Sequence, residues 1–532
     1  MANSKKNNNT DKKETKEFNP YMLGTEDIVR EIFHWEAIKT LKEFDTDKES
    51  MYLYVKPQIN KLTQELINSL TAGIYFRGEP EIKVIAEKTY KKRIEEMLDL
   101  CKKLMEDKYI DENTMDDLSK LWAQLNRKLQ HDGITSHEIT EVMQNLRRKT
   151  FVDRKTMNPD GFIPLKNGLL SLKDWTLHDF NASHFYTWKV NGVYDPSIRS
   201  LNQTPQFKKF LMESYPPRAI PTILDYMAYC LYPSFPRQKI LVIAGPPRMG
   251  KGTIALLMER ILNEGFYRIS LMKLLIPENK FSLQGIEGKR LLVDTEIKRE
   301  FKKNADFDVV NSLFGGDPLP LEKKFHQEIT YIAKSAGLLI GNLPLFKVSN
   351  LAFLSRLLIV TTQAKRNFKV VSNIADRIFN EEGDAIVSLL LNRLRSLIQR
   401  DFKFSNELTD DEYAQLWEDL SDSTQIFMDE RMVDKSGGSW DRDFVYQVYE
   451  EFCKERGIPP EGKHVFVYRV NKAYPKKKVR HGKKVTYEFQ GCSILTEVDI
   501  EREEETLRKT KEKQDKEFDE LMSDDFHVDD QP

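Results

Sequence analysis

The sequence predicts an α/β chain of several domains, and three observations carry that prediction. Residues 241–253 read LVIAGPPRMGKGT, an apolar run, a glycine turn and a lysine followed by small residues. Downstream, GKRLLVDTEI (288–297), SAGLLIGNLPLF (335–346) and LSRLLIV (354–360) repeat the apolar, strand-like pattern. After Asp441 comes a helix with aromatics at helical spacing, then a basic hairpin. The expected layout has an α-rich module with a small β part over 21–210, an α/β core over 211–400 and a small α+β domain over 401–498. A polar leader (1–20) and a charged tail (499–532) flank them. A chain of 532 residues is long enough for about three or four domains with well-formed cores.

The glycine turn reads as a phosphate-binding loop. Leu241–Ala244 form a buried strand, and the loop Gly245, Pro246, Pro247, Arg248, Met249, Gly250 bends so that backbone N–H groups face inward. Lys251 supplies a point charge for the outer phosphates, and the helix starting near Gly252 adds its positive end. Gly252 stands where a Ser or Thr is usual, so Thr253 is the hydroxyl expected near magnesium.

Asp294 and Glu296 alternate with Thr295, so a regular strand would turn both carboxylates the same way. One would hold the magnesium hydration shell, and the other would polarise an attacking water. Asn342 closes the next strand, with an amide able to bond a γ-phosphate or that water, although an Asn there also suits plain turn chemistry. Arg356 precedes the last strand, either as a surface cation or as a finger for a neighbouring subunit's phosphate. Between the strands, Gly315, Gly316, Asp317 and Pro318 form a turn. LPLEKKFHQEITYI (319–332) then alternates as a hairpin with Lys323, Lys324, Phe325 and His326 at its tip. Two ammonium groups beside a ring suit a single strand, and they equally suit a solvated hairpin.

The order GPPRMGKGT, LLVDTEI, FGGDPLPLEKKF, LLIGNLP, SRLLIV resembles the core of superfamily 3 helicases, in particular the poxvirus, phage and plasmid primase-helicase family. That resemblance implies an AAA+ ATPase using ATP and Mg²⁺ and assembling as a ring, usually a hexamer, around DNA. It implies Lys251 and Thr253 in the first motif and Asp294 and Glu296 in the second. Lys324 and Phe325 would then lie in a DNA-contacting hairpin, with Asn342 as sensor and Arg356 as finger. One arginine stands where relatives often have two. Residues 139–198, with a tight turn at Asn167-Gly168, resemble the helical and small β module ahead of the ATPase in that family, while MYLYV (51–55) and a helical stretch around 81–105 match loosely.

No acid occurs between Glu461 and Glu488, whereas Lys463, Arg469, Lys472, Lys476, Lys477, Lys478, Arg480, Lys483 and Lys484 do. A helix followed by this hairpin is expected to be a winged-helix-like module. Its wing residues Lys476, Lys477, Lys478, Arg480, Lys483 and Lys484 would meet phosphates. The tail EREEETLRKTKEKQDKEFDEL reads as a charged helix before an acidic end.

With 82 basic and 83 acidic residues the net charge is −1, so DNA affinity must come from local patches. Four scattered cysteines without a CxxC pair give no zinc site and suit a reducing cytoplasm. No apolar run approaches a membrane span of roughly 18 residues, and the leader is too polar for a secretory signal. Asp45-Thr46-Asp47 reads as a loop, so priming would belong to a separate primase or polymerase. The expected function is an ATP-driven replicative helicase of a virus, plasmid or integrated element. The alternatives are an origin-binding initiator or loader, and a nucleotide kinase whose phosphate loop also ends GKGT.

Overall fold

The computed structural model describes residues 25–35, 37–42, 49–56, 72–106, 109–133, 135–276, 283, 285–298, 306–321, 329–363, 373–455, 460–481 and 484–495. They divide into two compact units, one drawn from 1–43, 47–54 and 76–154 and the other from 44–46, 55–75 and 155–532. The Asp45–Asp47 loop, the hairpin tip with Lys323, Lys324, Phe325 and His326, Lys483, the leader and the tail all lie outside the described residues.

In the first unit, α1 (Thr25–Trp35) precedes β1 (Ile38–Lys42) and β2 (Glu49–Tyr54), which pair antiparallel; β3 (Tyr75–Arg77) follows β2 in the sheet. Helices α2 (Glu79–Met105), α3 (Glu112–Arg127) and α4 (Ser136–Thr150) complete it. The helix expected around 81–105 is α2. Its buried Ile82, Ala86, Tyr90, Ile94, Met97 and Cys101 recur at helical spacing and share a core with α1 and α4. Asp111 caps α3, and Thr135 with Glu138 forms a capping box on α4.

The second unit begins with a small antiparallel sheet of β4 (Phe162–Leu165), β5 (Gly168–Ser171) and β6 (Leu177–His178). Leu165 faces Gly168, the first residue of β5, so the tight turn is made by Lys166 and Asn167, one residue earlier than the Asn167-Gly168 expected. Then come α5 (Pro205–Ser214), α6 (Ala219–Tyr229), β7 (Ile240–Gly245), α7 (Lys251–Leu262), β8 (Phe266–Arg268), α8 (Leu271–Leu274), β9 (Leu291–Ile297) and α9 (Asp308–Gly315). A hairpin of β10 (Pro318–Leu321) and β11 (Ile329–Ile332) leads to β12 (Ala336–Asn342), α10 (Leu351–Leu354), β13 (Leu357–Thr361) and α11 (Ile374–Gln399). Both hairpin arms are therefore present. The turn before them starts one residue later than expected, because Gly315 ends α9 and Gly316, at φ 75°, caps it.

Five strands form one sheet in the order β13-β7-β12-β9-β8, and every pairing is parallel. All six residues of β7 are buried, as a continuous apolar run in a parallel sheet should be. Helix α11 packs on α5, α6 and α7 over this sheet. Buried Asp225 of α6 accepts from Arg393 Nε of α11 at 2.7 Å, Arg400 Nη2 at 3.1 Å and the Ser405 backbone at 2.7 Å.

The remaining elements are α12 (Asp410–Leu420), α13 (Ser423–Arg431), β14 (Met432–Asp441), α14 (Arg442–Glu455), α15 (Lys463–Ala473), β15 (Lys476–His481) and β16 (Lys484–Ile494). The last three strands form an antiparallel sheet in the order β14-β16-β15, with α13, α14 and α15 sharing one core with it. The basic hairpin of β15 and β16 is as expected. Residues 464–473, expected as part of it, are instead helical. All four cysteines are buried free thiols, and no helix among the described residues is long and apolar enough to cross a membrane.

Candidate functional site

Because the five strands are parallel, their carboxyl ends share one edge, the edge where ligands meet open α/β sheets. β7 runs between β12 and β13, while the next strand in sequence, β8, lies at the far edge, so the chain leaves the carboxyl end of β7 to cross the sheet and returns through β9 and β12 to β13. Residues 246–250 leave β7 at that point and turn directly into α7, whose first residue is Lys251.

Two residues of this loop are left-handed, Arg248 at φ 64° and Gly250 at φ 80°, which brings loop N–H groups inward as an anion cradle requires. Gly250 is fixed twice over, because a Cβ there would lie 2.5 Å from Ser214 Oγ. Gly245 is packed as closely, with a Cβ position 2.0 Å from Thr362 Oγ1. Lys251 is buried, and its Nζ donates to the carbonyls of Gly245 at 2.8 Å and Pro246 at 2.5 Å. Burial pushes its pKa down to about 8. Pro247 and Arg248 are exposed at the loop tip, Met249 is buried beneath it, and Thr253 is half-buried in the first turn of α7.

The acidic strand departs from regular alternation. Leu339 pairs with Asp294 but Gly341 with Ile297, so β9 holds one extra residue here. Asp294 is buried, accepting from Leu271 N at 2.7 Å and Glu296 N at 3.0 Å, while Glu296 is exposed. Burial raises the Asp294 pKa, opposed by those two backbone bonds. The expectation that both carboxylates present alike is thus corrected: the bulge gives one an interior position and leaves the other in solvent.

Asn342 ends β12 directly abreast of Gly245, which brings its amide beside the start of the loop. Arg356 lies at the opposite edge. Its carbonyl accepts from Ile240 N at the start of β7, so the length of a strand, about 17 Å at 3.3 Å per residue, separates it from the loop 246–250 of its own chain. Its Nη1 donates to the Ala352 carbonyl, and its Nε is buried without a hydrogen-bond partner among the described residues.

Four residues that the sequence reading passed over also hold the loop. Ser214 and Tyr215 end α5, and Thr362 and Gln363 follow β13. Tyr215 Oη donates to the Gly250 carbonyl at 3.5 Å, and Gln363 N and Nε2 donate to the carbonyls of Ser214 (2.9 Å) and Tyr215 (3.1 Å). Thr362 N donates to the Ala244 carbonyl at 3.0 Å. Only the neighbour relation of β13 and β7 exposes this set, and local sequence carries no sign of it.

Residues 243–350, from within β7 to just beyond Asn342, match the model of a family of unknown function (DUF5906). No curated protein matches the chain. Among solved structures, the C-terminal region of NrS-1 is similar at 11% identity and TM-score 0.29, over 60% of this chain and 88% of that one. JCV helicase, solved with a small-molecule acetamide bound, is similar at 13% identity and TM-score 0.28, over 63% and 91%.

Proposed function

We propose that this chain is an ATP-dependent DNA helicase of a viral, plasmid or integrated-element replication system, working as a ring, with six subunits as the expected number. The observation that carries the reading is the convergence at one sheet edge of the cradle Gly245–Gly250, Lys251 and Asn342, with the acidic strand β9 beside β12 and Arg356 on the opposite edge. In this reading the cradle and Lys251 bind the phosphates of ATP, while Thr253 and Asp294 hold the hydration shell of Mg²⁺. Glu296, free in solvent, polarises the attacking water, and Asn342 senses the γ-phosphate. Arg356 cannot serve its own site and would complete a neighbour's. The β10–β11 hairpin, with Lys323, Lys324, Phe325 and His326, would grip single-stranded DNA. The C-terminal module acts as a winged helix, with Lys476, Lys477, Lys478, Arg480, Lys483 and Lys484 toward phosphates.

The test is unwinding of a labelled fork with ATP and Mg²⁺ by the intact chain, Lys251→Ala and Arg356→Ala. The intact chain should separate strands, and both variants should lose about 10³-fold or more in ATP turnover. ATP hydrolysis without strand separation on forks of either polarity would reject the helicase reading.

A further inference from the structure

Arg356 stands on a short joint. α10 ends at Leu354 and β13 begins at Leu357, so Ser355 and Arg356 alone connect them. The N–H groups of the joint donate into α10, Ser355 N to the Leu351 carbonyl at 2.9 Å and Arg356 N to the Phe353 carbonyl at 3.1 Å. Its carbonyls turn the other way, to the residues that enter β7. Arg356 O accepts from Ile240 N at 2.7 Å, and Ser355 O accepts from Lys239 Nζ at 2.9 Å. Every backbone polar group of the joint is therefore paired, and only the bond to Ser355 O depends on a side chain.

Lys239 is 8% exposed, and a buried ammonium needs partners for its donors. Beyond Ser355 O it donates to Asp410 at 3.1 Å, with Glu407 at 3.8 Å. Glu407 is also held by Arg237 at 3.1 Å and by the Phe404 N–H at 3.2 Å, while Asp410 is exposed. Both acids thus keep a partner or water without Lys239. The Ser355 carbonyl has no other donor among the described residues. α10 is a single turn with Leu351 and Ala352 exposed, and it anchors the joint through buried Phe353 and Leu354.

We infer that Lys239 is a positioning residue for Arg356, fixing the joint from which the guanidinium reaches the neighbouring subunit's nucleotide. The inference rests on the reading of Arg356 as an arginine acting in trans, and adds the residue that aims it. Lys239 immediately precedes β7, whereas the loop 246–250 follows it, so a change at Lys239 lies a strand's length from the subunit's own nucleotide. Misplacing a catalytic group by about 1 Å can lower turnover by about 10²-fold.

Lys239→Met removes the donor and keeps an unbranched side chain. It should bind ATP within about threefold of the intact chain and lose about 10- to 100-fold in ATP turnover. Lys239→Arg, which keeps a donor toward Ser355, should recover part of that loss. The deciding measurement is ATP turnover of variants mixed equally and assembled at random. Lys239→Met keeps a working loop, so with Lys251→Ala it should rebuild intact interfaces at about one in four positions. With Arg356→Ala it should rebuild none, because neither variant supplies an aimed arginine. A lysine that only supported its own subunit's site would give the reverse, recovery with Arg356→Ala and none with Lys251→Ala. Any recovery with Arg356→Ala, no recovery with Lys251→Ala, full turnover of Lys239→Met alone, or weaker ATP binding than stated overturns the inference. The control is Lys251→Ala mixed with Arg356→Ala. If that pair also stays inactive, the reading of Arg356 falls and this inference with it; if that pair recovers, only the role of Lys239 falls.

Discussion

A buried ammonium is costly unless an anion comes to it, and Lys251 is buried beside two carbonyls with its pKa near 8. A bound phosphate favours the charged form, so the free protein should lose ATP affinity as pH rises through about 8, where the ammonium is surrendered. Affinity should be flat below about pH 7.5 and weaker by roughly ten- to thirtyfold at pH 9.5. Isothermal titration across that range decides it; an unchanged Kd would separate Lys251 from the phosphate. Gly250 gives a second prediction at this scale. An Ala there meets both a left-handed backbone and Ser214 Oγ, so Gly250→Ala should abolish nucleotide-induced stabilisation in a thermal melt. The positions of Lys251 and Thr253 just past the glycine turn, and of Asn342 at the end of an apolar run, were readable in sequence. The unequal burial of Asp294 and Glu296 was not, because the extra residue in β9 is defined only by the register of β12 beside it.

Among the elements, the tie between α6 and α11 rests on one buried carboxylate. Asp225→Asn leaves Arg393 charged and buried with weaker partners, which should cost about 3–5 kcal/mol. The measurement is the melting temperature of the chain, followed by the loss of ATP-dependent stabilisation; no drop would mean that the bonds of Arg393 to the Pro221 carbonyl and of Thr222 to the Ser405 carbonyl hold the helices together. Sequence period served well where burial followed it, as in α2 and in β7. It failed in α15. HVFVYRV mixes β-branched and aromatic residues in the manner of a strand, yet Phe466 and Val470, four apart, are the buried pair, and tertiary packing set a helical period against local propensity. The clamp of Ser214, Tyr215, Thr362 and Gln363 was hidden for another reason, since its members are distant in the chain and meet only because β13 returns beside β7.

In the whole molecule, the two ends of β13 face in opposite directions functionally. Its carboxyl end and Thr362 press on the start of the glycine-rich loop after β7, while Arg356 stands at the amino end, beyond reach of that loop. In the proposed ring, arranged head to tail, each interface would join one subunit's loop to the next subunit's arginine. Lys251→Ala retains a usable Arg356, and Arg356→Ala retains a usable Lys251. Mixed equally and assembled at random, the two inactive variants should rebuild intact interfaces at about one in four positions and recover ATP turnover in that proportion. If Arg356 acted within its own subunit, every site in the mixture would stay broken and no turnover would return. Recovery must also depend on subunit exchange, so premixing before assembly should restore more activity than mixing preformed rings. A mixture that stays inactive under both protocols would remove Arg356 from the neighbouring site and leave its buried Nε as part of the packing around α10.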